Sequence, residues 1–266
     1  MNIALAPRRA VLTVEPDEAF VTLRGVTKVF GAGRRAVTAL EGVSLDVARG
    51  EFVCILGASG CGKSTLLSLI AGLDHQTQGA IDIADGRPAV MFQDPALLPW
   101  LTVRRNVELP MRVRKVDADE RNRTVNRLLA MVGLIDFADS RPHQLSGGMR
   151  QRCALARSLA QESELLLMDE PFAALDAITR DQLHDDLNRV WQETGRTVIF
   201  VTHNVREAVR LGDRVVLMTP RPGRIAHVWD VDIERPRELD ALEVASLATE
   251  ITSRLRAGGA PSDGTH

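Results

Sequence analysis

The sequence predicts an α/β fold in which a mixed, mainly parallel β-sheet packs against helices and a smaller antiparallel β-sheet lies beside it. A glycine-rich segment at residues 57–65 separates an apolar run from a helical pattern. Two later apolar runs, residues 165–169 and 197–202, are each followed by polar residues that could act on a ligand. The alternation of apolar residues from Phe20, followed by a second β-rich stretch at 36–47, predicts the antiparallel part.

The glycine-rich segment reads Gly-Ala-Ser-Gly-Cys-Gly-Lys-Ser-Thr, which is the pattern G-x-x-x-x-G-K-S-T of a phosphate-binding loop. The run at 51–56 is typical of a buried strand, and residues 64–71 have a helical pattern that ends at Gly72. Backbone N–H groups and the helix N-terminus then favour a polyphosphate. The motif predicts that Lys63 binds the β- and γ-phosphates of a nucleoside triphosphate and that Ser64 binds Mg²⁺.

Two further strands end in polar residues. Asp169 ends the run at 165–169 and Glu170 follows it directly. His203 follows the run at 197–202. In a doubly wound sheet these ends meet where ligands bind, so Asp169 is predicted to organise Mg²⁺ and Glu170 to polarise a water. Taken alone, an acid pair often only starts a loop and a single histidine is usually structural; the phosphate loop upstream supports the catalytic interpretation.

The segment between these motifs is helical from about residue 103 to residue 160. Within it, Leu145-Ser-Gly-Gly148 leads directly into a helix. A Ser-Gly-Gly helix start suits an anion, although an ordinary helix cap has the same composition. The loop at 94–102 carries the apolar residues Leu97, Leu98 and Trp100, which either pack locally or form an exposed apolar patch.

The remaining features bound the chain. Residues 1–19 are predicted to be a flexible lead-in, 214–218 the last strand, 239–256 an amphipathic helix, and 257–266 a disordered tail. The formal net charge of -2 gives no indication of nucleic-acid binding. With no apolar run of about 18 residues and no secretory signal, we expect a cytosolic location and a membrane role only through a partner.

The motif Leu145-Ser-Gly-Gly148, placed between a phosphate loop and an acid pair, resembles the signature of ATP-binding cassette (ABC) transporter ATPases. The resemblance covers residues 20–225. It implies a P-loop NTPase core with an antiparallel β-subdomain and a helical signature subdomain at about 94–160, followed by a C-terminal extension at 226–266. It further implies an ATPase subunit that works as a homodimer on the cytoplasmic face of the cell membrane. Its expected partners are permease subunits and, indirectly, an extracytoplasmic substrate-binding protein.

The same resemblance assigns roles to individual positions. Phe30 matches the aromatic residue that stacks on adenine, although local packing is an equally plain use of a phenylalanine. Gln93 matches the residue that contacts Mg²⁺ and senses the membrane partner, and His203 matches the switch histidine at the γ-phosphate. Asp169 and Glu170 match the Mg²⁺-organising aspartate and the catalytic base. The remaining nucleotide-binding positions are the phosphate-loop residues, the signature residues that bind ATP from the opposite protomer, and a residue of the loop that crosses to it: Gly57, Ala58, Ser59, Gly60, Cys61, Gly62, Lys63, Ser64, Thr65, Ser146, Gly147, Gly148 and Asp176.

Three segments narrow the resemblance to the group of nitrate, sulfonate and taurine importers: residues 92–102, 172–180 and 221–225. They lie on the ATPase, which does not touch the solute, so they indicate a subfamily and not a substrate. The apolar loop with Trp100 would then dock a cytoplasmic helix of the permease. Asn204 departs from the family, in which aspartate often follows the switch histidine, and we expect little effect on the chemistry.

Two other functions fit the resemblance less well. A soluble cassette ATPase acting on ribosomes or DNA usually carries two cassettes or a long coiled-coil insert, and this sequence has one cassette and no heptad run. A non-catalytic regulatory module would not be expected to retain Lys63, Asp169, Glu170 and His203. A transporter for a different substrate also stays open.

Overall fold

The computed structural model describes residues 19–257. Of the predicted lead-in and the predicted disordered tail, only residues 19 and 257 fall within this range; the rest lies outside the described residues. The strands are β1 Ala19–Phe30, β2 Val37–Ala48, β3 Phe52–Leu56, β4 Gln78–Ile83, β5 Ala89–Met91, β6 Leu165–Asp169, β7 Thr197–Thr202, β8 Arg214–Met218 and β9 Ile225–Asp230. The helices are α1 Lys63–Ile70, α2 Val103–Val113, α3 Ala118–Met131, α4 Gly147–Leu159, α5 Ala177–Thr194, α6 Val205–Leu211 and α7 Leu242–Arg256.

The strands form two sheets. The larger has the order β5-β6-β7-β3-β8-β9, and all its neighbours are parallel except the edge strand β9, which runs antiparallel to β8. The smaller has the order β2-β1-β4 and is antiparallel throughout. The predicted α/β class, with a mixed sheet and a separate antiparallel sheet, is therefore confirmed.

Both faces of the larger sheet are covered, which explains why its strands are uninterrupted apolar runs. In β3, Phe52, Cys54 and Leu56 point into a core shared with α2 to α7. Val53 and Ile55 point into a second core formed with α1 and the antiparallel sheet. The period of two along a strand sends alternate side chains to opposite layers, so this strand anchors both layers just before the phosphate loop begins.

The prediction that 214–218 is the last strand was wrong, because β9 follows it and extends the larger sheet. Two of its residues, Ala226 and Trp229, are buried, and Val228 between them is exposed. This is the pattern of an antiparallel edge strand rather than of an apolar run. The predicted domain boundary at residue 225 thus falls on the first residue of a strand of the core sheet. None of the helices within residues 19–257 is both long and apolar enough to cross a membrane.

The segment after β9 is held to the cassette by the buried side chain of Arg237. Its guanidinium donates hydrogen bonds to the carbonyls of Ile233 at 2.8 Å and of Val209 and Val231 at 2.9 Å, and also to that of Gly212. Burial lowers the pKa of Arg237 to about 10, with nearby Arg235 adding to the effect. The unfavourable burial of this charge is offset because the one side chain donates hydrogen bonds to four carbonyl groups.

Replacing Arg237 with leucine should lower the free energy of unfolding by about 2–4 kcal/mol, since buried carbonyls would lose their donors. Urea unfolding monitored by circular dichroism measures this change. Arg256→Leu, at the exposed last residue of α7, is the control and should stay within about 0.5 kcal/mol of the wild type. Equal stabilities of Arg237→Leu and the wild type would show that Arg237 does not anchor this segment.

Candidate functional site

A cleft of about 530 Å³ opens at the ends of β3 and β6. It brings together most of the predicted nucleotide-binding positions with three residues for which no site role was predicted, Val37, Ala39 and Arg221. The predicted residues that line it are Phe30, Ser59, Gly60, Gly62, Lys63, Ser64, Thr65, Gln93, Asp169 and Glu170. These positions are far apart in the sequence, and the larger sheet brings them together at one of its edges.

The phosphate loop joins the end of β3 at Leu56 to the start of α1 at Lys63. Gly62 precedes the helix and has a φ of 103°, a value that residues with a Cβ atom rarely adopt. A Cβ there would also stand 2.7 Å from Cδ2 of Leu40 and 3.0 Å from the carbonyl oxygen of Ala39. The loop therefore packs directly on β2, and Gly62 is required for both its turn and its close contact.

Lys63 is only 5% exposed and is held in a fixed position. Its ammonium donates to the carbonyl oxygens of Gly57 at 2.9 Å and Ala58 at 3.2 Å, and it lies 3.7 Å from Oε1 of Glu170. Gly57 and Ala58 thus orient the lysine and do not line the cleft. The charge at the base of the cleft suits an anionic ligand.

Cys61 does not line the cleft either. Its side chain is buried, and burial raises the pKa of its thiol despite the partly offsetting charge of Lys63. The structure gives it a packing role, as it does for Cys54 and Cys153, which are fully buried. A thiol with a raised pKa is a poor nucleophile at neutral pH.

The residues predicted to hold Mg²⁺ lie together. The Ser64 hydroxyl donates to Oδ1 of Asp169 at 3.1 Å, and Gln93 lines the same cleft. Hydroxyl, carboxylate and amide oxygens are hard donors that suit Mg²⁺. Within residues 19–257 no three His, Cys, Asp or Glu side chains form a metal cluster, and a Mg²⁺ ion bound with a nucleotide needs none, because phosphates and water complete its shell.

Glu170 is the first residue after β6 and adopts a φ of 45°, which is unusual for a residue with a side chain. Its backbone N–H donates to the carbonyl of Val201 at 2.9 Å, so β7 holds the turn. Its carboxylate lies 2.9 Å from Nδ1 of His203 and 3.7 Å from Nζ of Lys63. The strained turn therefore places one carboxylate between the two side chains that were predicted to contact a γ-phosphate.

A buried chain of polar residues lies next to His203 in the sequence, and no sequence signal singled it out. His184 on α5 bonds through Nε2 to Oε1 of Glu207 on α6 at 2.6 Å, and the other oxygen of Glu207 accepts from the Thr202 hydroxyl. Thr202 immediately precedes His203. Asn204 caps α6 by accepting from the N–H groups of residues 206 and 207. Asparagine and aspartate cap helices about equally well. Asn204 therefore serves as the helix cap as well as the aspartate that often stands at this position in the family.

The predicted signature residues Ser146, Gly147 and Gly148, and Asp176, do not line the cleft. Ser146 caps α4 and Asp176 caps α5, accepting from Met149 N–H at 3.2 Å and Thr179 N–H at 3.0 Å. Gly148 is buried against Thr179, so the two helix starts lie side by side. A ligand bound in this cleft would therefore be lined by other residues of the chain and not by these four.

Phe30 lies at the mouth of the cleft with 44% of its surface exposed. Nζ of Lys28 sits 4.8 Å from its ring centroid, fixed by Asp74 and by the carbonyl of His75. Lys28 does not line the cleft, so the ring has a surface available to a planar base. An exposed ring that borders the cleft is not explained by local packing.

The Asp169 carboxyl is costly to ionise in the folded protein. Burial and the negative charge of Glu170 raise its pKa above the ordinary value of 3.8, against a hydrogen bond from Ser64 and the charge of Lys63. The folded state then binds more protons than the unfolded state between 3.8 and the raised pKa. Its contribution to stability consequently falls as pH rises through that window.

Asp169→Asn should therefore stabilise the ligand-free protein at pH 7.5 relative to the wild type, with a smaller gain at pH 4.5. Urea unfolding at both pH values measures this difference. Asp176→Asn is the matched control of opposite sign, because hydrogen bonds from Thr179 lower the pKa of that carboxyl. A gain from Asp169→Asn that does not depend on pH would contradict the electrostatic cause.

Comparison with known proteins identifies the family. The ABC transporter family profile matches residues 40–173. The chain is 46% identical to the aliphatic sulfonates import ATP-binding protein SsuB 1 of Burkholderia cenocepacia, over 97% of this chain and 78% of that protein. It is 42% identical to the nitrate import ATP-binding protein NrtD of Synechococcus elongatus, over 85% and 87%. It is 41% identical to the bicarbonate transport ATP-binding protein CmpD of Synechocystis, over 90% and 89%.

A solved structure agrees with these relatives. The ATP-binding cassette MJ0796, described as a dimer in a post-hydrolysis state bound to ADP and Pi, superposes with a TM-score of 0.71 at 35% identity. The match covers 79% of this chain and 98% of that one. The predicted resemblance to this family is therefore confirmed. This chain belongs to the ABC transporter ATPases, in the group that includes the nitrate, bicarbonate and sulfonate import proteins, and it is an ATPase.

Proposed function

We propose that this chain is the energising subunit of a multi-subunit importer for a small anion, and that two copies hydrolyse ATP in two shared sites. The observation that carries this proposal is the position of Glu170, which lines the cleft with Lys63 and Asp169 and contacts both Lys63 and His203, although His203 does not itself line the cleft. A non-catalytic module would have no use for a carboxylate held in a strained turn between these two groups.

The residues of the cleft divide the chemistry of hydrolysis among them. Lys63 and the phosphate loop bind the β- and γ-phosphates, and the adenine stacks on Phe30. Glu170 orients the attacking water toward the γ-phosphate and accepts a proton from it. As the oxygen of this water bonds to the γ-phosphorus, the bond from that phosphorus to the oxygen bridging the β- and γ-phosphates breaks, and ADP and phosphate are released. His203, whose imidazole bonds to Glu170, contacts the γ-phosphate oxygens. These assignments place ATP along the length of the cleft.

Mg²⁺ fits the same site. Ser64, Asp169 and Gln93 supply a hydroxyl, a carboxylate and an amide oxygen at one end of the cleft. When bound, the ion would neutralise charge that develops on the phosphates. It would also offset the cost of ionising Asp169, whose pKa is raised by burial.

The signature residues require a second copy. Ser146, Gly147, Gly148 and Asp176 do not line the cleft of their own chain, and a head-to-tail dimer would bring them to the nucleotide of the partner chain. The MJ0796 cassette, whose solved structure is dimeric, supports this arrangement. ATP binding closes such a dimer, and loss of the γ-phosphate reopens it.

The apolar loop after Gln93 offers a surface for the permease. In this loop Trp100 is 67% exposed, whereas Leu97 packs against the core. Phe92, directly before Gln93, is half-exposed. Local packing therefore explains Leu97 but not Trp100, and exposed apolar residues of this size mark interaction surfaces. A permease docked here would hold the chain at the cytoplasmic face of the membrane, with an extracytoplasmic substrate-binding protein delivering the solute.

Glu170→Gln should lower the ATPase rate by about 10²- to 10⁴-fold, because the side chain keeps its shape and loses its basicity. ATP should still bind, so size-exclusion chromatography with Mg²⁺ and ATP should show an accumulated dimer. The control Glu193→Gln, at an exposed position on α5, should hydrolyse ATP at the wild-type rate. Normal turnover by Glu170→Gln would remove this residue as the base.

The transported solute is tested by growth. A strain lacking the gene should fail to grow on one sole source among taurine, alkanesulfonates, aromatic sulfonates and nitrate. The wild-type gene should restore growth and a Lys63→Ala copy should not. Bicarbonate uptake is assayed separately, since one relative is named for it. Unchanged growth and uptake throughout would contradict the importer class while leaving the ATPase activity untouched.

A further inference from the structure

The loop between β8 and β9 carries a residue that the site as described does not use. Residues 221–225 match the importer group in sequence, yet no role was predicted for them. The structure places Arg221 in the lining of the nucleotide cleft, together with Phe30 and Gly60. An arginine in this position is a potential ligand for an anion.

The loop is firmly attached to its surroundings. Gly223 donates from its N–H to the Ala39 carbonyl at 2.9 Å and accepts from the Glu41 N–H at 3.0 Å, which joins the loop to β2. A Cβ on Gly223 would stand only 2.1 Å from the carbonyl oxygen of Cys61. The loop is therefore packed between β2 and the phosphate loop, and only glycine fits at this position.

The loop is also closed on itself. The Thr219 hydroxyl donates to the Pro222 carbonyl at 2.9 Å and accepts from the Arg224 N–H at 3.0 Å. Arg221 thus projects from a backbone that is fixed on both sides. A fixed backbone lowers the entropy lost when the side chain binds a ligand.

The guanidinium of Arg221 lies beside the phosphate loop. Its Nη2 is 3.9 Å from the point where a Cβ of Gly60 would stand. Between residues 19 and 257 no acceptor forms a hydrogen bond with it and no carboxylate lies within 4.0 Å, so its five N–H donors are not used by the described protein. Lys63 is the other basic residue of the cleft lining, and it already donates to two carbonyls.

We propose that Arg221 binds the phosphate chain of the nucleotide, as a second cationic ligand supplied by the loop after β8. The charge is permanent, and the planar fork of donors matches two phosphate oxygens. The inference rests on the proposed function, because it adds a contact to the same nucleotide. Arg221 also links nucleotide binding to the strand pair β8–β9.

The test measures equilibrium dissociation constants by calorimetry with the full chain and Mg²⁺. Arg221→Ala should weaken ATP about tenfold, the loss of one charge-assisted contact. Inosine triphosphate, which carries the same phosphates on a different base, should be weakened by the same factor. Arg221→Lys should recover part of the loss, since it restores the charge without the fork.

Arg224→Ala is the matched control. It removes the same charge from the same loop, but Arg224 pairs with Glu41 at 2.7 Å and does not line the cleft. It should bind both nucleotides within twofold of the wild type. Unfolding midpoints of all variants check that the loop is intact, and Arg221→Gln replaces Arg221→Ala if the alanine variant fails to fold.

The outcomes separate the two proposals. Wild-type binding of ATP, loss of binding in Lys63→Ala and unchanged binding in Arg221→Ala would overturn this inference alone. A loss confined to ATP, with inosine triphosphate unaffected, would also overturn it, because Arg221 would then contact the base. A wild-type chain that binds neither nucleotide would overturn the proposed function and this inference together.

Discussion

The parallel register of four neighbouring strands decides where every charged group of the cleft lies. Leu56, the last residue of β3, pairs with Thr202 of β7 and with Leu217 of β8, and Asp169 of β6 pairs with Val201. The strands therefore end within a residue or two of each other. The polar residues of the cleft lie at or directly after the ends of these strands. A shift of one residue in the strand pairing would therefore turn such a side chain to the opposite face of the sheet.

That register also creates an electrostatic conflict that the fold manages locally. Two carboxylates follow the same strand, one partly buried and one in a strained turn. Ser64 and Lys63 partly offset the cost at Asp169, and Lys63 and His203 flank Glu170. The cleft thus holds opposite charges at short range, an arrangement that is poor for stability alone and suited to a ligand that brings phosphates and a cation.

Residues 220–257 pack against the rest of the cassette. The loop after β8 packs on the phosphate loop, β9 pairs with β8, and Arg237 ties the following segment to α6. β9 thereby becomes the edge strand of the larger sheet. The cleft and residues 220–257 consequently rest on the same sheet.

The sequence by itself determined the fold class and predicted the phosphate loop and the acid pair, because each is a local pattern attached to a local element. The family resemblance added the predicted role of His203 as a switch histidine. Asp169, Glu170 and His203 each follow an apolar strand, so their common edge could be predicted from parallel pairing alone. The family resemblance supplied the roles of Phe30 and Gln93, and the structure places both residues in the cleft.

Only the tertiary structure decided the rest. Arg221, Glu207 and His184 carry no local signal: an arginine after a strand and a histidine on a helix are ordinary until other elements are packed against them. The strand β9 was missed because half-covered edge strands lack a continuous apolar run. What the sequence determines are patterns within about ten neighbouring residues, whereas contacts between β8, β2 and the phosphate loop depend on long-range packing that no local pattern records.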